Sequence, residues 1–367
     1  MSASALKGTE LLQTGWRAAI SRMAILLSLL VVVAVLGVAQ LIRQARSPTP
    51  LLATGAGAVP ALAAWDFDSE DCLLSWDQVE AGGPPKDGIP ALTDPEMLAA
   101  GEADYLDGED IVIGVAHGDE ARAYPLRILN WHELVNDTVG GMHVLVTYCP
   151  LCDSSLVFNR TVGGEVRDFG VSGLLYNSNV LMYDRAEREE DESLWSQMQM
   201  RAVCGTAANE GLELELVSSS VTTWRDWVDS HPKTEVLSLN TGYTRDYQRN
   251  PYTGYFASDQ LMFPVEWEQA ADADFPPKER VLIVRHGGAV KGYPYSVLQA
   301  VQQEEGEVTD EIAGTRVSIS SGDPRYGGWS VYTEEGEPVP SAVAFWFSFR
   351  ADQPEADVYL PGLGEET

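Results

Sequence analysis

His143-Val144-Leu145-Val146-Thr147-Tyr148-Cys149-Pro150-Leu151-Cys152-Asp153-Ser154-Ser155-Leu156-Val157-Phe158 decides the fold class. An apolar, β-branched run leads into two cysteines three positions apart, and the residues after Asp153 resume as a strand. In thioredoxin-like sites the dithiol opens a helix, whose first amides lower the pKa of the leading thiol. Here a strand follows, and Pro150 follows the first cysteine instead of preceding the second. The pattern therefore argues against a thioredoxin fold, and stabilisation of a thiolate has to come from turn amides or a nearby base.

The spacing serves three purposes: a small disulfide, a redox dithiol, or half of a soft-metal site. Cys72 and Cys204 are the only other cysteines, so there is no dense disulfide scaffold. As a dithiol, Cys149 or Cys152 attacks, the other resolves, and His132 or Glu133 is the nearby base. A closed zinc site needs four ligands and this motif supplies two. His132 is the best further ligand, with copper(I) the other metal suited to thiolates. His143 is excluded, because six residues of strand separate it from Cys149 by about 20 Å. No cofactor is required in the dithiol reading. The blander readings are an inert Cys149–Cys152 disulfide or a pair of buried thiols, in an envelope protein, and a partly exposed helix histidine at position 132.

Working outward, the chain is similar to itself. Glu109-Asp110-Ile111-Val112-Ile113-Gly114-Val115-Ala116-His117-Gly118 leads to Tyr124-Pro125 and Leu129. Glu279-Arg280-Val281-Leu282-Ile283-Val284-Arg285-His286-Gly287 leads to Tyr293-Pro294 and Leu298 with the same spacings. Asp137 to Val144 echoes Asp310 to Val317 after a four-residue insertion. Each half, about 105–160 and 275–335, reads as strand, turn, strand, short helix and hairpin. Only the first half carries cysteines. Gly163-Gly164 marks a hairpin turn, and Thr222 or Thr223 caps a short helix through Trp227. The expected fold is mainly β (α+β), a β-rich domain over 65–361 built on this duplicated unit.

Ala24 to Ile42 is an apolar run with no charge, long enough to cross a bilayer as a helix. Flanking basic residues favour a cytoplasmic N-terminus over 1–23, a transmembrane anchor at 24–42, a Pro/Gly/Ala-rich stalk at 43–64, and a frayed tail at 362–367. The expected location is thus a single-pass membrane protein with an extracytoplasmic domain, the lipid bilayer being a partner through 24–42. Secretion after signal cleavage is the alternative. The chain has 24 Lys+Arg against 55 Asp+Glu. Residues 1–46 hold five of the bases and one acid, which leaves a net −35 beyond them. That field repels phosphates and excludes nucleic acid as a partner. It suits a salt-rich habitat or an ordinary acidic secreted protein.

Polar residues crowd the segment after the Gly-Gly turn. Ser172, Asp184, Arg185, Trp195 and Gln197 are candidates for a polar pocket or a structural network. Ser172 lacks the G-x-S-x-G setting of a hydrolase nucleophile.

Tyr148-Cys149-Pro150-Leu151-Cys152, Phe169 to Arg185 (FGVSGLLYNSNVLMYDR), Ser193-Leu194-Trp195-Ser196-Gln197 and Arg122 to Asp137 occur in order. Together they resemble the signature of a prokaryotic domain-of-unknown-function family, number 3179, over roughly Gly82 to Tyr359. The resemblance implies export or membrane anchoring. Relatives with selenocysteine near the cysteine motif imply a redox role for Cys149 or Cys152, with an unknown substrate or redox partner. Cys204 is not expected from the family pattern and is a buried apolar residue or the partner of Cys72.

Overall fold

Alternate residues of a strand face opposite sides of its sheet, and the computed structural model shows what each side meets. It describes Trp65 and residues 72–266, 275–321 and 328–361. These lie in the compact unit Pro50–Thr367, which is separate from Met1–Thr49. The proposed anchor 24–42, stalk 43–64 and tail 362–367 lie outside the described residues, among which no helix is long and apolar enough to cross a membrane.

The first half runs as β1 (Leu92–Thr93), β2 (Ile111–His117), β3 (Glu120–Pro125), α1 (Leu126–His132), β4 (Leu134–Val139), β5 (Met142–Cys149) and β6 (Ser154–Asn159). A middle section follows: β7 (Phe169–Tyr176), β8 (Asn179–Asp184), β9 (Leu194–Ser196), β10 (Arg201–Cys204), β11 (Glu215–Leu216), β12 (Ser220–Thr223), α2 (Trp224–Ser230), β13 (Glu235–Leu237) and α3 (Thr253–Phe256). The second half holds β14 (Arg280–His286), β15 (Ala289–Pro294), α4 (Tyr295–Glu305), β16 (Val308–Ile312), β17 (Thr315–Ser321), β18 (Trp329–Thr333), β19 (Ser341–Phe345), α5 (Trp346–Asp352) and β20 (Asp357–Val358). The fold is β-rich with short helices, as the alternating patterns require.

A nine-stranded sheet, in the order β1-β4-β5-β6-β19-β14-β15-β20 with β11 also on β6, is the wall of the molecule. Leu145 and Cys149 of β5, Leu156 and Phe158 of β6, and Val281 and Ile283 of β14 face one continuous core. That face is covered by a second sheet, whose Phe169, Val171, Met182 and Trp195 pack into the same core. On the opposite face, Val144, Val146, Tyr148 and Val157 join Ile113 and Tyr124. Leu282, Val284 and Val343 form a separate cluster with Val317 and Trp329. Each fully buried Val, Leu or Phe contributes roughly 1.5–3 kcal/mol. A one-residue slip of β5 would move its whole apolar set to the wrong side.

The two halves use corresponding contacts. Ile111 pairs with Thr223 as Arg280 pairs with Phe345, and Arg122 with Glu235 as Lys291 with Asp357. Tyr124 donates to Asp137 and Tyr293 to Asp310, each at 2.7 Å. The Trp224 N–H donates to the Asp110 carbonyl and the Trp346 N–H to that of Glu279, again at 2.7 Å each. Helix α1 has seven residues and α4 eleven. The four-residue difference is one turn of helix. The halves also interlock: β19 pairs with β6 through Val343 and Ser155, while Ser220 of β12 lies 3.4 Å from Ser330 of β18. Thr223 caps α2 by accepting from the Asp226 N–H, as its sequence position leads one to expect.

A disulfide joins Cys72 to Cys204 across 132 residues. In the chain-entropy view a loop of that length stabilises the fold by up to about 5 kcal/mol. Cys149 and Cys152 are free thiols. The bridge is formed by the other pair, Cys72 and Cys204, while Cys149 and Cys152 take the form of two buried thiols, the other expectation for them.

A buried dithiol as candidate functional site

Cys149 ends β5 and pairs across the turn with Ser154 of β6. The Cys152 N–H closes the turn onto the Cys149 carbonyl at 3.2 Å. Asp153 follows at φ 46°, a left-handed conformation that costs about 1 kcal/mol or more outside glycine. It is held there because its carboxylate accepts from Tyr148 Oη at 2.9 Å and from Arg280 Nε at 2.6 Å. The second half thus braces the turn twice, since the Phe345 N–H also donates to the Cys152 carbonyl at 2.7 Å.

Facing the sulfurs is the two-residue turn between β7 and β8. Asn177 and Ser178 both have positive φ, the twist that such a hairpin needs. The turn aims the Ser178 carbonyl at the thiols, 3.2 Å from Cys152 Sγ and 4.0 Å from Cys149 Sγ. The backbone amides of Cys152 and Val180 act to lower the Cys149 thiol. Burial outweighs them: the Cys149 thiol is pushed well above its ordinary value, first by desolvation and then by Cys152. With relative exposures of 1% and 0%, both cysteines are closed to solvent. At rest Cys149 is therefore held as the neutral thiol.

Glu133 is the acid beside them. Its carboxyl is raised well above the carboxylate range, by burial first and by Cys149 second. Its backbone has φ 57° and ψ −40° at the C-terminus of α1. The corresponding position after α4 is Gly306 at φ 79°, the residue that such helix ends favour. Glu133 is thus a buried glutamate with positive φ at a helix end, a backbone conformation that concentrates at functional sites. Tyr252 reports on the same neighbourhood: burial raises its phenol, and Glu133 and Cys149 raise it further.

His132 is placed elsewhere. A carbonyl only accepts, so Nδ1–H donates to the Pro90 oxygen at 2.8 Å. Nε2 then accepts from Tyr247 Oη at 2.7 Å, and Thr241 Oγ1 donates onward to Tyr247 at 2.6 Å. Burial pushes the ring down to about 4, so it is neutral at pH 7. Both nitrogens are engaged, by Pro90 and Tyr247. Among the described residues no group of three or more His, Cys, Asp or Glu is gathered for a metal ion. His143 bonds Thr138 at the far end of β5, as the strand geometry requires.

The expected polar pocket separates into local networks. Ser172 accepts from the Leu174 N–H and donates to the Leu181 carbonyl, which fastens a bulge. Asp184 holds Arg167 at 2.5 Å and the Ser193 N–H at 2.7 Å. Arg185 forks onto Asp87 at the surface. Gln197 does reach the cysteine turn: its amide oxygen accepts from Ser154 and Asn179, and its NH₂ donates to Thr147. Trp195 packs in the cysteine core with its indole N–H unpartnered, as are Ser178 Oγ and Asn179 Oδ1.

A strap covers the turn from outside. Tyr255 of α3 donates to the Leu151 carbonyl at 2.7 Å. Lys278 lies 3.3 Å from the Tyr255 ring centre and donates to the Tyr255 and Ser258 carbonyls. Asp153 and the Asn177–Ser178 turn were visible in the sequence as polar residues flanking the motifs. Nothing in the sequence pattern marked Tyr252 or Tyr255.

Residues 86–326 match the family model described as a protein of unknown function (DUF3179). The chain belongs to that family. No curated protein and no solved structure matches it.

Proposed function

We propose that this is an extracytoplasmic thiol–disulfide redox protein, anchored to the membrane through residues 24–42, with Cys149 as the attacking thiol and Cys152 as the resolving one. The observation that carries this reading is the buried pair of free thiols facing the Ser178 carbonyl, with a buried acid of positive φ, Glu133, coupled to Cys149. Glu133, whose burial disfavours the carboxylate, takes the proton from Cys149 when it is itself deprotonated. The thiolate attacks a substrate disulfide, forms a mixed disulfide and releases one substrate thiol. Cys152 then attacks Cys149, the second substrate thiol leaves with the Cys152 proton, and a Cys149–Cys152 disulfide remains. One protein dithiol is oxidised and one substrate disulfide reduced. The Cys72–Cys204 disulfide supports an oxidising compartment.

The shared registers further support one ancestral unit laid down twice, the first copy keeping the chemistry and the second bracing it through Arg280 and Phe345. The closed sulfurs imply that the strap at Tyr252 and Tyr255 moves before substrate enters.

The test is a trapping experiment with oxidised glutathione. In the Cys152→Ser chain, a mixed disulfide should accumulate on Cys149, whereas the unaltered chain should release glutathione and close its own disulfide. No adduct on Cys149, even after long incubation, contradicts the assignment.

A further inference from the structure

The long sheet forks. β6 pairs with β19 only at Ser155, and further along its edge β11 takes over through Phe158 and Asn159. Strands that diverge in this way leave a crevice between them. A cleft of about 610 Å³ opens there, lined by Glu215 of β11, Arg285 of β14 and Asp352 of α5, with Arg201 and Leu214 at its side. That volume is in the range of small-molecule sites.

Some arginines of this chain hold a carboxylate closely, as Arg122 does Asp137 and Arg280 Asp153, each at 2.6 Å, although an unpartnered Nε also occurs outside the cleft, at Arg122 among others. Arg201 has no such partner among the described residues, and its buried Nε is unsatisfied. Arg285 is reached only loosely, by Asp352 at 3.9 Å, and its Nε is also buried and unsatisfied. Asp352 accepts instead from Gln353 at 2.8 Å. Unmet guanidinium donors in a cleft are a cost that a carboxylate would remove, by two parallel hydrogen bonds. Glu213 and Glu215 are exposed on the same cleft. An inorganic anion would be drawn by the arginines and repelled by these acids, and a simple amine would meet the reverse. A molecule with both ends satisfies both sets, and Leu214 and Met200 offer its body an apolar wall.

We propose that this cleft binds a small zwitterion of the amino-acid or short-peptide class, its carboxylate on Arg201 and Arg285 and its ammonium towards Glu213 and Glu215. The site stands independently of the dithiol reading.

Titration calorimetry of the full chain tests it with glycyl-leucine, its C-terminal amide, its N-acetyl form and inorganic phosphate as probes. Saturable binding of glycyl-leucine is expected, weakened tenfold or more by blocking either end and by Arg201→Met. Thermal melts confirm that this variant folds, and the surface change Glu213→Gln with Glu215→Gln should weaken binding several-fold without touching the interior. Absence of saturable glycyl-leucine binding overturns the proposal. So does phosphate binding of equal strength, or binding indifferent to Arg201→Met and to the glutamate changes.

Discussion

Glu133 and His132 are neighbours in sequence with opposite fates, and pH separates them. His132 is lowered by burial from 6.5 to about 4. The folded state therefore binds fewer protons than the unfolded chain between those values. Its contribution is complete above pH 6.5 and is lost as pH falls towards 4, by up to about 3 kcal/mol. Urea unfolding across that window should show the fall, and a neutral replacement such as His132→Gln should flatten it. Glu133 is raised, so its contribution is present below its unfolded value and is lost as pH rises through its folded one. At neutral pH, Glu133→Gln and Glu133→Gly should each stabilise the fold, the glycine by a further ~1 kcal/mol or so from relieved backbone strain, while both slow the reaction of Cys149 with a disulfide. Loss of stability in the glycine variant would contradict the account of the strained acid. Which of the two neighbours is coupled to Cys149 was not legible beforehand, because the helix ends between them with a positive φ at Glu133.

At the scale of elements, the alternation in Val144, Val146 and Tyr148 against Leu145 and Cys149 was enough to read β5 and to reject a helix after Cys152. Gly163-Gly164 gave its hairpin, between Val162 and Glu165, and Thr223 its cap. The strap over the cysteines was not readable. Residues 238–263 have no period of 2 or 3.6, because they are fixed by isolated contacts such as Tyr247 to His132 and Tyr255 to Leu151. Tyr255→Phe deletes only the bond to Leu151. It should expose the turn and accelerate alkylation of Cys152 by iodoacetamide several-fold, with little change in midpoint denaturant. Asp153→Ala should cost about 2–3 kcal/mol, since it leaves Arg280 and Tyr148 without their partner in a left-handed turn. A smaller loss would mean that the turn is held mainly by β5 and β6.

Across the whole molecule, the stretches from Ile111 and from Arg280 both run as strand, strand, helix and hairpin and each holds a Tyr–Asp bond, so the order of elements in each stretch was legible. The way the halves interlock was not. Pairing of β19 with β6 joins segments whose patterns carry no mark of each other, whereas the Cys72–Cys204 pairing was one of the two readings open for Cys204. Replacing Cys72 and Cys204 by serine should lower stability by as much as about 5 kcal/mol and leave the Cys149–Cys152 equilibrium unchanged. That separation matters because the central claim concerns the other pair. The measurement that tests it most directly is an equilibration of the full chain in glutathione buffers of graded potential, followed by acid quenching and mass analysis of the peptide spanning 149–152. The account predicts a reversible loss of two hydrogens from that peptide with a single midpoint within the glutathione range, Cys72–Cys204 staying oxidised throughout. A peptide that keeps both thiols in fully oxidised glutathione, or that once bridged resists strong reductant, would contradict it.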